Sequence, residues 1–193
     1  MTVGPIPYER LDAEAMANLE AMRPDLLALQ PDHKAMAIAN SNQSRVRMLE
    51  ALQLIAKYQS EIVSPQCACR TGCSHCCNMS VSVGILEARA IAKHLGIQYS
   101  KPGPSTVEED RVKYTGVPCP FLENSKCKVY PVRPLACSTY FNMSSTSEIC
   151  DLKAHPNHDV PGLNTTVFHL AQVLALGEGL SDIRNWFPNA QTA

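Results

Sequence analysis

The chain has 193 residues, of which 45% are hydrophobic, so it can bury a core and does not belong to the disordered class. Its 17 basic and 18 acidic residues give a net charge of -1 without a block of one sign, which argues against a nucleic acid or a membrane as partner. No basic start followed by an apolar run opens the sequence, and the apolar run from Val167 to Leu176 is too short to span a bilayer, so we expect a soluble, cytoplasmic protein.

The first 66 residues contain no cysteine and predict a helical segment. Asp12 can cap a first helix that carries Met16 and Met22, and Pro24 is expected to end or restart it because proline cannot donate to the helix ladder. A second stretch, residues 26–39, is rich in alanine and methionine but is interrupted by a proline.

The polar run at residues 40–44 predicts a connector and cap for an amphipathic helix. That helix would bury Met48, Leu52, Ile55 and Ile62. Beyond the first cysteines, residues 81–83 are typical of a short extended piece.

The segment from Ile85 to Leu95 predicts a helix that Gly96 ends. The stretch from Lys101 to Pro118 is polar and punctuated by proline and glycine, so we expect a loop there. A last amphipathic helix is indicated by Leu163, Val167, Leu170 and Leu174. Packing anchors are expected at Ile183, Trp186 and Phe187. The predicted fold class is mainly α, a small helical domain with irregular, metal-stapled cysteine loops.

Nine cysteines dominate the middle of the sequence. Five lie within eleven residues, at Cys67, Cys69, Cys73, Cys76 and Cys77, and four follow, at Cys119, Cys127, Cys137 and Cys150. We expect these two thiol-bearing segments to close over one centre. A reducing compartment keeps thiols free, the count is odd, and a disulfide between neighbouring residues requires a strained peptide. The pattern therefore favours metal ligation over a disulfide framework.

Thiolates at short spacing suit a soft metal such as zinc or iron, because a tight turn lets two sulfurs converge on one ion. One mononuclear site takes four ligands, so nine cysteines imply either two metals or one polynuclear cluster. Cys76 and Cys77 are adjacent, and on an extended backbone their side chains would point to opposite faces and serve two metal positions.

This pattern resembles the cysteine-cluster proteins whose zinc- or iron-chelating domain is named for a CxxCxxCC motif. The resemblance is carried by Cys69, Cys73, Cys76 and Cys77, by CPFL-x4-C-x2-Y-x2-RP-x2-C from Cys119 to Cys137, and by the helix around Glu87. The spacing Cys69-x3-Cys73 is one residue longer than the namesake pattern, which leaves Cys67 as an alternative first ligand. The resemblance implies metal binding, with iron, iron–sulfur and zinc all proposed for the family, and some relatives carry the domain in flagellin lysine methylases.

Several other side chains are candidates around the cluster. Arg133 can neutralise the charge that thiolates bring to a metal, and Tyr130 can donate to a sulfur. His75 can hydrogen-bond a sulfur, whereas His155, His158 and Asp159 more often form a solvated loop than a ligand set.

Two functions follow from this reading. The first is a cytoplasmic protein that holds iron or an iron–sulfur-type cluster and acts as a redox or modifying enzyme. The alternative is a zinc-binding structural module without catalysis, whose amino-terminal helices dock a protein partner. We expect a helical segment over residues 1–66, a cysteine-cluster metal-binding region over 67–150, and a C-terminal helix and tail over 151–193 on the same domain.

Overall fold

The computed structural model of the chain describes residues 7–70, 72–155, 159–176 and 179–190. Its α-helices are α1 (Tyr8–Leu29), α2 (Pro31–Ala39), α3 (Arg45–Val63), α4 (Ile85–Leu95), α5 (Val107–Tyr114), α6 (Leu135–Ser138), α7 (Thr166–Leu176) and α8 (Ile183–Trp186). Its strands are β1 (Ser82–Val83), β2 (Leu122–Glu123), β3 (Lys126–Cys127) and β4 (Ser181–Asp182). The mainly α prediction is confirmed, and within the described residues no helix is long and apolar enough to cross a membrane.

The first helix is longer than the sequence indicated. It begins at Tyr8, before the proposed cap, and it continues through Pro24 to Leu29. Pro24 lies on an exposed part of the helix, where the missing hydrogen bond is tolerated. Gln30 then takes a left-handed conformation, with φ 51°, and Pro31 opens α2 in the first-turn position that suits proline. The expected break is therefore real, but it lies at the second proline.

A first core forms where α2, α3 and α7 pack together. Ser44 caps α3, because its hydroxyl accepts from the Arg47 amide at 3.4 Å, as the polar connector predicted. The buried side chains of this core are Ala35, Met48, Leu49, Leu52, Ile55, Ala56, Leu135, Phe168, Ala171, Ala175 and Leu176. The cysteine-free helices thus share one core with a helix that lies beyond the cysteines.

Helix α7 exists where it was predicted, but the face it buries was predicted wrongly. The proposed core positions Val167, Leu170 and Leu174 are 42%, 51% and 53% exposed. Phe168 and Ala171 are buried instead. Helix α7 has no charged residue that would mark its solvent-facing side. Its small alanines allow it to approach α2 closely, and this packing determines which face is buried.

The polar stretch that was expected to be a loop contains α5. Thr106 caps this helix by accepting from the Glu109 amide at 3.1 Å, and the Glu109 carboxylate accepts from the Thr106 amide at 2.7 Å. This reciprocal capping box is a local sequence signal that the proline and glycine content of the stretch obscured.

A second core surrounds α4 and α8. Helix α4 has the predicted bounds and ends at Gly96, whose φ of 66° suits glycine. Strand β1 pairs antiparallel with β4, with Ser82 opposite Asp182. The predicted anchors Ile183, Trp186 and Phe187 are all buried in this core. Strand β4 and helix α8 therefore pack against the residues that directly follow the first cysteines.

Candidate metal centre

The two cysteine segments meet in the fold through their backbones. The Cys119 amide donates to the Cys77 carbonyl at 2.7 Å, and the Gly116 amide donates to the Asn78 carbonyl at 2.7 Å. All nine cysteines are free thiols. The sequence therefore predicted correctly that its two thiol-bearing segments are neighbours.

The first segment is built from consecutive tight turns. The Cys73 amide donates to the Arg70 carbonyl at 3.0 Å, and the Cys77 amide donates to the Ser74 carbonyl at 3.0 Å within a short 3-10 helix, His75–Asn78. The Arg70 guanidinium donates to the carbonyls of Cys69, Cys67 and Ser64. These bonds keep the backbone compact, so that thiols close in sequence remain close in space.

The second segment begins with a hairpin. Asn124 and Ser125 both have positive φ, 50° and 59°, which is the conformation of a type I′ turn between β2 and β3. This turn pairs Cys127 with Leu122 and brings Cys127 back toward Cys119. Short helices then place Cys137 in α6.

One group of thiols lies against the α4 and α8 core. Cys119, Cys127 and Cys137 pack at its edge, and the Cys77 backbone is bonded to Cys119. Burial raises the pKa of Cys119 to about 11. Burial also raises the pKa of Cys137, and the neighbouring charges of Cys119, Cys76 and Cys127 add to this effect. Thiolates this close to one another are stabilised by a shared cation.

A second group of thiols surrounds Asn142, which is fully buried. The Asn142 backbone amide donates to Cys69 Sγ at 3.5 Å, and its side-chain amide donates to Cys150 Sγ at 3.2 Å. A hydrogen bond from the Cys69 thiol lowers the pKa of Cys67 to about 6, against the opposing effect of burial. The Cys150 pKa, raised to about 11 by burial, also responds to the charge of Cys73.

Cys76 is exposed to solvent, whereas the thiols of both groups are buried or half-buried. A hydrogen bond from the Cys77 thiol lowers the Cys76 pKa to about 7, and the charge of Arg133 contributes. The hydrogen bond with the Cys67 thiol raises the pKa of Cys69, burial raises the pKa of Cys137, and the charge of Cys76 adds to both effects. The charge of Cys76 thus acts on thiols of both groups.

The donor chemistry fits a soft metal, although the side chains are not yet arranged as a coordination shell. Among the described residues, no three Cys, His, Asp or Glu side chains already converge as ligands of one ion. The thiols instead stand as hydrogen-bonded pairs, Cys67 with Cys69 and Cys76 with Cys77. A metal would replace the shared protons of these pairs and would draw the sulfurs inward.

Comparison with known proteins agrees with this geometry. Residues 68–157 match the model of the CxxCxxCC family, described as a putative zinc- or iron-chelating domain. This segment is therefore similar to the CxxCxxCC family. No curated protein and no solved structure matches the chain. Metal binding through the cysteines is thereby supported, and Cys67 is the one cysteine that lies outside the matched segment.

Arg133 and Tyr130 stack at an exposed edge of the cysteine region. The Arg133 guanidinium lies 4.5 Å from the centre of the Tyr130 ring, and Tyr130 is 61% exposed. Burial raises the pKa of Cys127, and the Arg133 charge partly opposes this rise. The hydrogen bond from Cys77 lowers the pKa of Cys76, and the Arg133 charge adds to that effect. The guanidinium is therefore close enough to balance thiolate charge, whereas Tyr130 contacts the arginine.

The histidines lie at the rim of the domain. His155 shares a hydrogen bond of 2.8 Å with the hydroxyl of Tyr8, at the start of α1. Hydrogen bonds from backbone amides, the Lys153 amide first, lower the pKa of Asp151, and the charge of His75 adds to this effect. His158 lies outside the described residues.

Arg184 is the residue at this centre that the sequence analysis missed. It is 4% exposed, and it donates to both carboxylate oxygens of Asp182, at 2.9 and 3.0 Å. It also donates to four backbone carbonyls, those of Cys77, Met79, Val117 and Pro118. One guanidinium thus holds the backbone just after the adjacent cysteine pair and just before Cys119.

A second carboxylate completes this network. Asp110, also buried, accepts from the Asp182 amide at 2.7 Å and from Ser181 Oγ at 3.1 Å. Asp182 accepts from the Val81 amide at 2.7 Å. The only sequence signal was a charged pair, Asp182 and Arg184, set among apolar anchors, where a charge must find a partner.

Glu87 fixes the other end of the second segment. Its carboxylate is buried and accepts from the amides of Gly84 at 3.1 Å and Leu135 at 2.8 Å, and from Gln172 Nε2 at 3.0 Å. Burial raises the pKa of Glu87. Since Leu135 opens α6, this carboxylate sets the position of the helix that carries Cys137.

Proposed function

We propose that this chain is a cytoplasmic metal protein whose cysteines hold iron or an iron–sulfur-type cluster, and that it acts as a redox or modifying enzyme. The proposed ligands are Cys67, Cys69, Cys73, Cys76, Cys77, Cys119, Cys127, Cys137 and Cys150. Nine free thiols in one region suit a reducing compartment, where such ligands persist.

The exposure of Cys76 carries the proposal of a reactive centre. Structural metal sites are closed by their protein ligands, whereas reactive sites keep an accessible position. Here one thiol is exposed while Cys67 and Cys150 are buried, so an electron partner or a substrate could reach the centre from the Cys76 side.

The positive charge of Arg133 supports the same proposal. Several thiolates around an iron centre leave a net negative charge, and a nearby guanidinium reduces the cost of holding it. Arg133 lies at the edge where Cys76 is exposed and influences Cys127 as well, so we propose it as a contact of the metal centre, with Tyr130 holding it by stacking.

A zinc-binding structural module is the second candidate, and a different observation favours it. The two cysteine segments contain only short turns, one two-stranded hairpin and short helices. Because such short elements bury little surface, a bound metal would contribute much of the free energy that stabilises these segments. Exposed apolar side chains on α1 and α3, such as Leu27, Leu54 and Tyr58, suit a protein partner that docks on the amino-terminal helices.

Metal and sulfide analysis of anaerobically purified protein separates these functions. Brown protein containing iron and acid-labile sulfide supports the first function, and colourless protein with stoichiometric zinc supports the second. The Cys73→Ser and Cys127→Ser variants should lose metal, whereas Ser74→Ala, which removes a side chain from the same turn and leaves every thiol, should keep it. Full metal content in both cysteine variants would overturn the assignment of these ligands.

A further inference from the structure

We propose that the nine thiols form two separate metal centres. The first would use Cys77, Cys119, Cys127 and Cys137, and the second would use Cys67, Cys69, Cys73 and Cys150, with Cys76 between them. This inference rests on the proposed metal binding and adds to it the number of centres and the division of the ligands.

The apolar contacts of the thiols assign them to two groups. Cys119, Cys127 and Cys137 contact the core that contains Ile91 and Trp186. Cys67 and Cys69 contact a different core, which α1 and α3 share with the chain around Phe141. Cys150 is buried in a further cluster with Leu11 of α1. The two groups are therefore held by different helices.

Backbone hydrogen bonds divide the thiols in the same way. The bond between Cys77 and Cys119 joins the two segments within the first group. In the second group, the Ala68 amide donates to the Asn142 carbonyl at 2.8 Å, and Asn142 contacts Cys69 and Cys150. Each group thus has its own crossing between the early and the late cysteine segment.

The number of thiols agrees with this division. A closed zinc or iron site takes four thiolates, so two sites take eight and leave one of the nine. The remaining thiol is Cys76, which is the exposed cysteine, whereas the other eight are buried or half-buried. One polynuclear cluster would instead require a common centre for the thiols that pack against the α4 and α8 core and those that lie around Asn142.

Counting zinc ions on the full chain tests the division. Protein reconstituted anaerobically with Zn²⁺ should hold two ions per chain by native mass spectrometry, because zinc takes four thiolates per site. The double variant C127S/C137S should keep one ion, and so should the double variant C67S/C150S. A combination of both pairs should keep none.

The outcomes separate this inference from the function on which it rests. If either pair of substitutions removes both ions, or if the unaltered chain holds one, the two-centre proposal is wrong while metal binding stands. If the unaltered chain takes up neither zinc nor iron, the proposed function itself is wrong.

A second measurement covers the case in which a variant does not fold. The unaltered, zinc-loaded chain is alkylated with iodoacetamide at rising chelator concentration, and the modified cysteines are located by peptide mapping. Two centres predict that Cys127 and Cys137 become reactive together, at a chelator concentration different from that for Cys67 and Cys150. Simultaneous exposure of all four thiols would overturn the proposal.

Discussion

The two sides of the cysteine region are held by different kinds of interaction. Toward α4 and α8, buried charges fix the backbone: Arg184 donates to the carbonyls around Cys77 and Cys119, and Glu87 holds the helix that carries Cys137. Toward α1, the backbone of one neutral residue, Asn142, bonds to Cys69 and Ala68 and its side chain bonds to Cys150, while the exposed Arg70 guanidinium binds nearby carbonyls. We infer that the side toward α4 and α8 is ordered before any metal binds, whereas the side toward α1 depends more strongly on a bound metal for its order.

The largest loss of stability is expected when the buried charge network near α4 and α8 is disrupted. Arg184→Met leaves the buried Asp182 carboxylate without its cation, and such a loss costs about 3–5 kcal/mol. The free energy of unfolding, measured by urea denaturation of the protein as purified, should fall by this amount, and metal content should fall with it. The matched control is Arg23→Met, because Arg23 pairs with Glu20 on the exposed surface of α1, and its loss should cost at most about 1 kcal/mol. Equal effects of the two substitutions would contradict the comparison.

A smaller effect is expected at Glu87. In Glu87→Gln an amide group faces the Leu135 amide or the Gly84 amide, so one buried donor meets another, at a cost of about 2–3 kcal/mol. Folding should then also become less dependent on pH. Burial raises the Glu87 pKa above its ordinary value of 4.5, so the native state binds this proton more tightly than the unfolded state, and its contribution to stability is lost as pH rises above that value.

Unfolding curves of the unaltered and Glu87→Gln proteins, recorded from acid to neutral pH, test this. The difference in unfolding free energy should be greatest at acidic pH and should shrink as pH rises. A difference that grows with pH would mean that the carboxylate is stabilised in its charged form.

On the other side of the region, Asn142→Ala should cost about 1–2 kcal/mol. It removes the acceptor of the buried Ser144 amide, at 2.9 Å, and the donor to the Thr146 carbonyl, at 2.8 Å. We expect Cys150, which loses its side-chain donor, to react faster with a thiol reagent, with little change at Cys127. The control Asn40→Ala removes one exposed bond to the Met36 carbonyl and should leave all thiol reactivities unchanged. Faster reaction at Cys127 as well would show that the two sides are not independent.

The smallest effect on stability is expected at Arg133. Since Arg133 is only partly buried and stacks on an exposed ring, Arg133→Gln should change the unfolding free energy little, but it should weaken metal binding about tenfold, as loss of an outer contact of a metal site does. Competition with a chelator measures this affinity. Lys128→Gln, which removes an exposed cation from the same segment, serves as the control and should leave the affinity unchanged. Equal weakening by both would mean that general charge, and not this contact, matters.

Features with a local cause could be predicted from the sequence. The Ser44 cap, the bounds of α4 and its Gly96 terminator each depend on residues within one or two turns. The meeting of the two cysteine segments was also predicted, because thiols need a common partner to settle their chemistry. The capping box of α5 was equally local and was overlooked because prolines and glycines surround it.

Features that depend on distant partners could not be predicted. The buried face of α7 depends on how closely its alanines approach α2, and an uncharged helix carries no mark of which side meets solvent. The role of Arg184 depends on carbonyls more than sixty residues away, so its sequence neighbours reveal only that the charge needs a partner. The sequence thus indicated the chemistry of these side chains but not the distant residues that they contact in the fold.

The pairing of β1 with β4 has a practical consequence for anyone who wishes to isolate the metal domain. A fragment trimmed to the family boundaries, residues 68–157, would omit β4 and α8 and would leave the Asp110 carboxylate and the carbonyls of Cys77 and Met79 facing an empty groove. We expect such a fragment to be insoluble or to bind metal poorly, and a fragment that also contains α1 to α3 and extends through Ala190 to restore both properties. The smallest self-sufficient piece of this protein is therefore larger than the signature by which it is recognised.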